Sequence, residues 1–506
     1  MSDAVQLDRV SQIVGYKIQK GNFSNTTPNL PHRIAIIGEA NTANQSTLDT
    51  VGKEITSAQQ AGQLYGYGSP IHQMMRILRP ITSVGVGGIP TIVYPQAVPV
   101  GATAKVIDIT PTGTATANGT HTIIIDGRNG VDGGNYFVNI NTGDDEAAIS
   151  QKIADVVNDV LGSPVIATVE DTPDKTVLTT KWKGLTANDV NVTVDTGNNT
   201  LGITYAVVVD TTGTGTPSVL SSLTQFDENW NTIVVNSYGL VDAVTDELKA
   251  YNGIPDEDNP TGRWNGEVFK PFIAITGTKL NVAQDLIDIT TLEKDEVTIA
   301  LAPAPGSNGL SLEAAANMTV LFALQAQNSP NTDVQDKVYN DMPIGDIGDF
   351  SDYNERDRMA KNGCSTVIVS NGKYKVKDFV TTYHPVGENP PQFRYPRNIN
   401  IDWNVRFGEL LLVQAYVIGN SISADDDIVD ALNVIKPKSY KQLLFSYAEQ
   451  LARRALIADA SFMQDSVTVG ISPTNPDRID TTFSYKRTGF GRIASTTATA
   501  GFNFGN

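Results

Sequence analysis

The chain has 506 residues, is 40% apolar and 18% charged, and carries a net charge of −18 with a single cysteine, Cys364. A chain of this length has room for a sizeable core in about two to four domains. Its composition excludes disorder as the main state, its acidity argues against nucleic acid as the main partner, and one cysteine excludes an internal disulfide. The opening Met1-Ser-Asp-Ala-Val-Gln-Leu-Asp-Arg9 lacks a basic stretch followed by an apolar run, so no secretory leader is expected. Apolar runs such as Leu410 to Val413 are far short of a membrane span. A cytoplasm-like setting, or release by lysis, is expected.

Residues 1 to 30 are mostly polar, with Val14, Tyr16 and Ile18 alternating on one face. Two readings stay open here: an unordered start, or an arm. Gly21 to Pro31 is turn and loop chemistry. Arg33-Ile-Ala-Ile-Ile-Gly38 reads as a buried strand of a parallel sheet. Thr56 to Tyr65 and Ser69 to Leu78 read as helices, the second with Ser69 as N-cap and Pro70 at the first helical position. Thr91-Ile-Val-Tyr94 is a further strand, so an α/β layer begins here.

From 98 to 219 the chain turns rich in Thr, Val, Gly, Asn and Asp. Six strand-like runs are expected: Ala104–Ile109, His121–Ile125, Tyr136–Ile140, Val165–Val169, Thr176–Thr180 and Val190–Val194. A helix, Glu146 to Val160, interrupts them. This stretch holds six basic and fourteen acidic side chains. It reads as a mostly β domain inserted into a loop of the α/β domain. The α/β rhythm then resumes, with strands Thr232–Val235, Phe272–Ile275 and Val297–Leu301 and helices Tyr238–Tyr251 and Leu310–Gln327.

Ser351 to Lys361 is a charged helix, followed by the strand Cys364–Val369, the hairpin signal Asn371-Gly372 and the partner strand Tyr374–Val380. Ile401 to Gly419 is a long apolar helix. Ser439 to Asp459 is amphipathic, with Tyr440, Leu443, Leu444, Tyr447, Leu451 and Ala455 on its apolar face. Ile479, Thr481, Phe483 and Tyr485 then alternate with Asp480, Thr482, Ser484 and Lys486, which predicts a strand with one apolar face. Gly489 and Gly491 interrupt it. The remaining tail holds Phe490, Ile493, Phe502 and Phe504, too little apolar mass for a core. It is either a frayed end or an arm that completes another chain's sheet. From residue 371 onward there are fifteen basic and thirteen acidic side chains, against 22 and 42 before it. The asymmetry points to two different surfaces.

No catalytic constellation emerges. His32, His72, His121 and His384 show no metal-ligand spacing and read as surface or turn residues. No H-E-x-x-H, paired Cys or G-x-S-x-G occurs. Gly127-Arg-Asn-Gly-Val-Asp-Gly-Gly134 reads as a hairpin loop, Gly85-Val-Gly-Gly88 as a turn, and Asp425–Asp427 as an acidic helix start before Ile428. Cys364 reads as a buried, inert thiol.

The layout resembles the tail sheath proteins of contractile-tailed phages, close to the Mu-like branch. The likeness rests on Val14–Phe23, Leu30–Asn41, Thr56–Pro70 through Arg76–Pro80, Asn398–Phe407 and Arg478–Phe490. It covers nearly the whole chain, though none of these stretches is a catalytic motif. The resemblance implies a non-enzymatic structural subunit without cofactor. Such subunits stack as hexameric rings around a tail tube and contract to drive the tube through the host envelope. The implied partners are further copies of the chain, the tube, baseplate and tail terminator proteins, with no direct nucleic acid and no membrane insertion. The implied setting is a virion tail assembled in host cytoplasm.

The expected fold class is a multidomain α+β and α/β chain. Its parts are an N-terminal arm (1–30), a discontinuous α/β domain (31–97 plus 220–370), an inserted β-rich outer domain (98–219), a tube-facing α+β domain (371–487) and a C-terminal arm (488–506). The resemblance makes Val14, Tyr16, Ile18, Phe490, Ile493, Phe502 and Phe504 candidate arm residues that add strands to neighbouring sheets. Ile479, Thr481, Phe483 and Tyr485 form the strand next to the arm, and Gly489 and Gly491 the hinge. Lys436, Lys438, Lys441, Arg453 and Arg454 are candidates to face the tube. Three alternatives stay open: the sheath of a phage-derived injection particle, an α/β enzyme with a β-rich binding insert, and a surface or adhesion protein.

Overall fold

The structure is a computed structural model that describes residues 28–81, 85–127, 134–172, 174–240, 242–256 and 258–502. By compactness the described residues fall into two units, residues 30–407 with the tail from 487, and residues 408–486 with Asn29. This two-part division groups residues 371–407 and the tail with the α/β body.

The larger unit opens with β1 (Ile34–Glu39), β2 (Lys53–Glu54), α1 (Ala58–Tyr65), α2 (Pro70–Leu78) and β3 (Thr91–Gln96). Ser57 and Ser69 cap the two helices by accepting from the amides of Gln60 and His72, which satisfies donors that the first helical turn leaves unpaired. The inserted part holds β4 (Val106–Thr112), β5 (Gly119–Ile125), β6 (Asn135–Ile140), α3 (Glu146–Asn158), β7 (Val165–Asp171), β8 (Asp174–Thr180), β9 (Val192–Asp195) and β10 (Thr204–Thr211). Two antiparallel sheets form there, in the orders β10-β4-β8-β7 and β6-β5-β9.

The chain then returns through α4 (Leu220–Leu223), β11 (Ile233–Asn236), α5 (Asp242–Asn252), β12 (Ile273–Thr278), α6 (Ala283–Leu292), β13 (Ile299–Pro303) and α7 (Ser311–Asn328). One six-stranded sheet, β13-β12-β11-β1-β3-β2, unites the two stretches that flank the insert. Its strands run parallel except β2, and Ile34 stands between Ile233 and Thr91. Every residue of β1, β3, β11, β12 and β13 is buried. This explains their near-continuous apolar runs, because helices cover both faces of such a sheet. Gly277 shows how closely α7 lies on it: an added Cβ would stand 1.6 Å from the Ser311 carbonyl oxygen.

The unit continues with α8 (Tyr353–Lys361), β14 (Thr366–Ser370), β15 (Lys373–Asp378) and the first part of α9 (Pro396–Tyr416). Asn371 and Gly372 take φ of 51° and 71°, the backbone that a two-residue type I′ hairpin requires.

The smaller unit holds the end of α9, β16 (Ser421–Ile422), β17 (Val434–Ile435), α10 (Pro437–Arg453), α11 (Ala460–Ser466), β18 (Thr468–Ile471) and β19 (Ile479–Thr482). Its core gathers Ile435, Tyr440, Leu444 and Val467, with Val413, Leu443, Ile479 and Phe483 packed against them. Residues 423–433 form turns and loop where an acidic helix start was expected at Asp425–Asp427. Asp427 accepts from Ser423 Oγ at 2.7 Å and from the Ala424 amide at 3.0 Å. Short acidic side chains compete with helical pairing in this way.

Candidate assembly site

The tail after Lys486 lies on the larger unit. Arg397, on the first turn of α9 and 2% exposed, donates to the Asn331 carbonyl at 3.0 and 2.8 Å and to the Thr488 carbonyl at 2.5 Å. Its guanidinium stands 4.9 Å from the Phe490 ring, which meets Tyr395 edge to face at 5.1 Å. Arg492 reaches Asp333 at 3.1 Å, pairs with Asp378, and stacks 4.9 Å over Tyr395. Burial pushes the Asp333 carboxyl above its usual range, and the Arg492 charge opposes that shift. Arg487 holds Asp402 with both arms of its guanidinium. Planar guanidinium groups suit paired carboxylate contacts and ring faces together.

Phe490 is therefore half-buried in a dock on its own chain. Gly489 and Gly491, the candidate hinge, lie between the two tail arginines, and a Cβ on either would meet nothing within 4 Å. Ile493 and Phe502 are 93% and 89% exposed. Residues 493–502 form no strand or helix. Val14, Tyr16, Ile18 and Phe504 lie outside the described residues.

In the smaller unit, β19 pairs antiparallel with β18, with Val469 opposite Thr481 and Ile471 opposite Ile479. Ile479, Thr481, Phe483 and Tyr485 are half-buried, while Asp480, Thr482, Ser484 and Lys486 are exposed. The ladder stops at Thr482, and the chain runs on extended through Ser484, whose amide donates to Ser466 Oγ at 2.8 Å. The sheet has two strands among the described residues, so each strand keeps one open edge. A groove of about 320 Å³ borders β19, walled by Val413, Val417 and Tyr440.

The five candidate tube-facing cations divide. Lys436 Nζ reaches the Asp425 carbonyl at 3.4 Å and also the Asp427 carbonyl. Lys441 stands 5.5 Å over the Phe445 ring, and Arg454 is half-buried against Asn29. Lys438 is exposed, and Arg453 is 82% exposed beside Glu449 at 3.6 Å.

The crevice where an α/β enzyme would bind its ligand lies at the carboxyl ends of β1 and β11, where the strand order reverses. Here the insert fills it. Glu39 accepts from Thr186 Oγ1 at 2.7 Å and from Ser237 Oγ at 2.9 Å, and Trp182 Nε1 donates to Thr186 Oγ1 at 3.0 Å. Trp182 is fully buried, and burial pushes the Glu39 carboxyl up to about 7. Among the described residues there is no group of three or more His, Cys, Asp or Glu placed to hold a metal ion.

The histidines correct the sequence reading: His32, His72 and His121 are buried. His32 Nδ1 meets Thr232 Oγ1 at 2.9 Å, and burial lowers its ring to about 4. Cys364 is buried beside Thr290, and burial pushes its thiol up to about 11. No described helix is long and apolar enough to cross a membrane.

No protein-family model matches the sequence. The chain is similar to the Mu-like prophage FluMu tail sheath protein of Haemophilus influenzae, with 22% identity over 475 residues, 90% of this chain and 91% of the relative. Two solved structures are also similar. The sheath tail protein of Desulfitobacterium hafniense has 14% identity and a TM-score of 0.42, over 94% of this chain and all of that one. The anti-feeding prophage helical sheath in the contracted state has 10% identity and a TM-score of 0.48, over 97% of this chain and 99% of that one.

Proposed function

We propose that the chain is the subunit of a contractile tail sheath, which polymerises around a tail tube and contracts to drive it through the host envelope. The observation that carries the reading is the end-to-end likeness to a tail sheath protein, 90% of one chain against 91% of the other. The role is structural, and the filled crevice at Glu39 supports that. The sheath of a phage-derived injection particle is the same mechanical object. The partners are further copies of the chain in hexameric rings, the tube, and the baseplate and terminator proteins at the two ends.

In this reading the tail serves as a coupling device. Residues 493–506 carry no charged side chain, so their capacity for specific binding lies in backbone hydrogen bonds and in Phe502 and Phe504. A segment of this kind adds readily to an open sheet edge. The acceptor is the two-stranded β18–β19 sheet of a neighbouring subunit. Net contributions of roughly 0.5–1.5 kcal/mol per hydrogen bond let about six paired residues hold while subunits rotate. The tail dock fixes the base of the arm, so the moving part begins after Arg492. The N-terminal segment with Val14, Tyr16 and Ile18 serves as the second arm, and Lys438 and Arg453 are the exposed cations left for the tube.

Sedimentation velocity tests this with two chains. The full chain is expected to form large polymers, and a chain ending at Arg492 to remain a folded monomer. Polymerisation of both to the same extent removes the arm from the account.

A further inference from the structure

We propose that the exposed loop Ala424–Leu432 of one subunit docks into the basic groove between α8, β15 and the tail of a second copy of this chain. The proposal rests on the sheath reading, because it needs many copies in contact.

The loop is built to be covered. Ile428 is 97% and Leu432 98% exposed, four residues apart, with Val429 beside them. Four aspartates, Asp425, Asp426, Asp427 and Asp430, surround this apolar pair. Asp425 and Asp427 are engaged locally, with the Lys438 amide and with Ser423 and Ala424. Asp426 and Asp430 make no hydrogen bond or ion pair among the described residues and are themselves four residues apart. In a helical turn, Ile428 and Leu432 would stack on one face and Asp426 and Asp430 on a neighbouring one. Among the described residues nothing covers Ile428 and Leu432, and the segment forms turns and loop.

The groove, of about 540 Å³, has the complementary character. Arg356, Lys361, Lys377 and Arg394 line it, a local excess of positive charge on a chain of net −18. Asp357 and Asp378 also line it, but they are tied to Lys361 at 2.5 Å and to Arg492. The Lys361 side chain is still 68% exposed. Apolar contact is available at Tyr353, 71% exposed, and at Ala360 and Tyr395 in the groove wall. An acidic peptide with two apolar anchors is the partner this surface fits, and the loop is such a peptide in every copy. Charge complementarity of this kind fixes register and partner choice.

The test is a charge swap read by pelleting of polymer across a concentration series. Asp426→Lys with Asp430→Lys reverses the loop, and Lys361→Glu with Lys377→Glu reverses the groove. Asp426, Asp430 and Lys361 are exposed, Lys377 is 31% exposed and paired with Asp336 at 2.7 Å, and unchanged circular dichroism and melting temperature confirm folding. Each reversed pair is expected to raise the concentration needed for polymerisation at least tenfold. Combining all four substitutions is expected to return it to within about threefold of the wild type. Wild-type chain that pellets, with both reversed pairs pelleting equally well, overturns the proposal alone. So does a fourfold variant no better than the worse pair. Wild-type chain that never pellets overturns the sheath reading and this proposal together.

Discussion

Arg487 grips Asp402 through two hydrogen bonds, Nε to Oδ1 at 2.7 Å and Nη2 to Oδ2 at 2.6 Å, with its guanidinium 5.6 Å from the Phe393 ring. The pair is 23% and 10% exposed, so it is partly shielded from water. It fixes the first residue of the tail to α9. Removing one partner strands a nearly buried charge, which costs far more than losing a surface ion pair. Arg487→Ala is expected to lower the unfolding free energy by about 2 kcal/mol, measured by urea titration. Arg487→Lys is expected to recover less than half of that, because a point charge cannot reproduce the fork.

The dock also separates two truncations. A chain ending at Arg492 keeps Arg397 over Phe490 and Arg492 against Asp333. A chain ending at Lys486 leaves Asp333 and Asp402 without their tail arginines. Neither is expected to polymerise. The shorter chain alone is expected to lose stability, by roughly 3 kcal/mol or more, with a clear drop in melting temperature. Equal melting temperatures for the two would remove the dock from the account.

Glu39 gives a pH signature. Its folded-state carboxyl is raised by burial from 4.5 to about 7, so the folded state binds the proton more tightly than the unfolded chain. The stability this contributes is fully present below pH 4.5 and is lost as pH rises through about 7. His32 works in the opposite sense, since burial lowers it from 6.5 to about 4. Its contribution is present above 6.5 and is lost as pH falls through about 4. The wild-type profile therefore mixes both, and the difference from a variant isolates Glu39. Glu39→Gln is expected to be more stable than wild type at pH 8.5 by up to about 3 kcal/mol, with the difference shrinking toward pH 5. A constant difference across that range contradicts the assignment.

Gly408 is required by packing in the smaller unit. A Cβ there would stand 2.4 Å from Tyr447 Oη and 2.9 Å from its ring, and Tyr447 is 1% exposed. Although alanine favours a helix, Gly408→Ala is expected to destabilise by about 1–3 kcal/mol through overpacking. Differential scanning calorimetry would register this as a lower transition temperature.

Much of this was legible in the sequence, and for identifiable reasons. The buried strands β1, β3, β12 and β13 announce themselves as apolar runs, because both faces of the sheet are covered. Asn371-Gly372 forecasts its hairpin, and Ser69-Pro70 its helix start. Strand β10 was missed: Tyr205-Ala-Val-Val-Val-Asp210 has no period, since Val207, Val208 and Val209 are all partly exposed on an edge strand. Strand β18 was missed because four residues are too few to show alternation. The burial of His32 and His121 depends on long-range partners, Thr232 and Tyr205, which no local pattern reveals. The tail dock was hidden for the same reason. Phe490 and Arg492 look like loose arm residues until Arg397, Asp333 and Asp378 are brought beside them.

Electron cryomicroscopy of the purified full chain at high concentration tests the central claim most directly. Hollow tubes of stacked rings are expected, with density that leaves each subunit after Arg492 and joins the β18–β19 sheet of a neighbour as an added strand. Only monomers, with the full chain intact, would contradict the sheath reading. Tubes in which every tail stays on its own subunit would contradict the coupling.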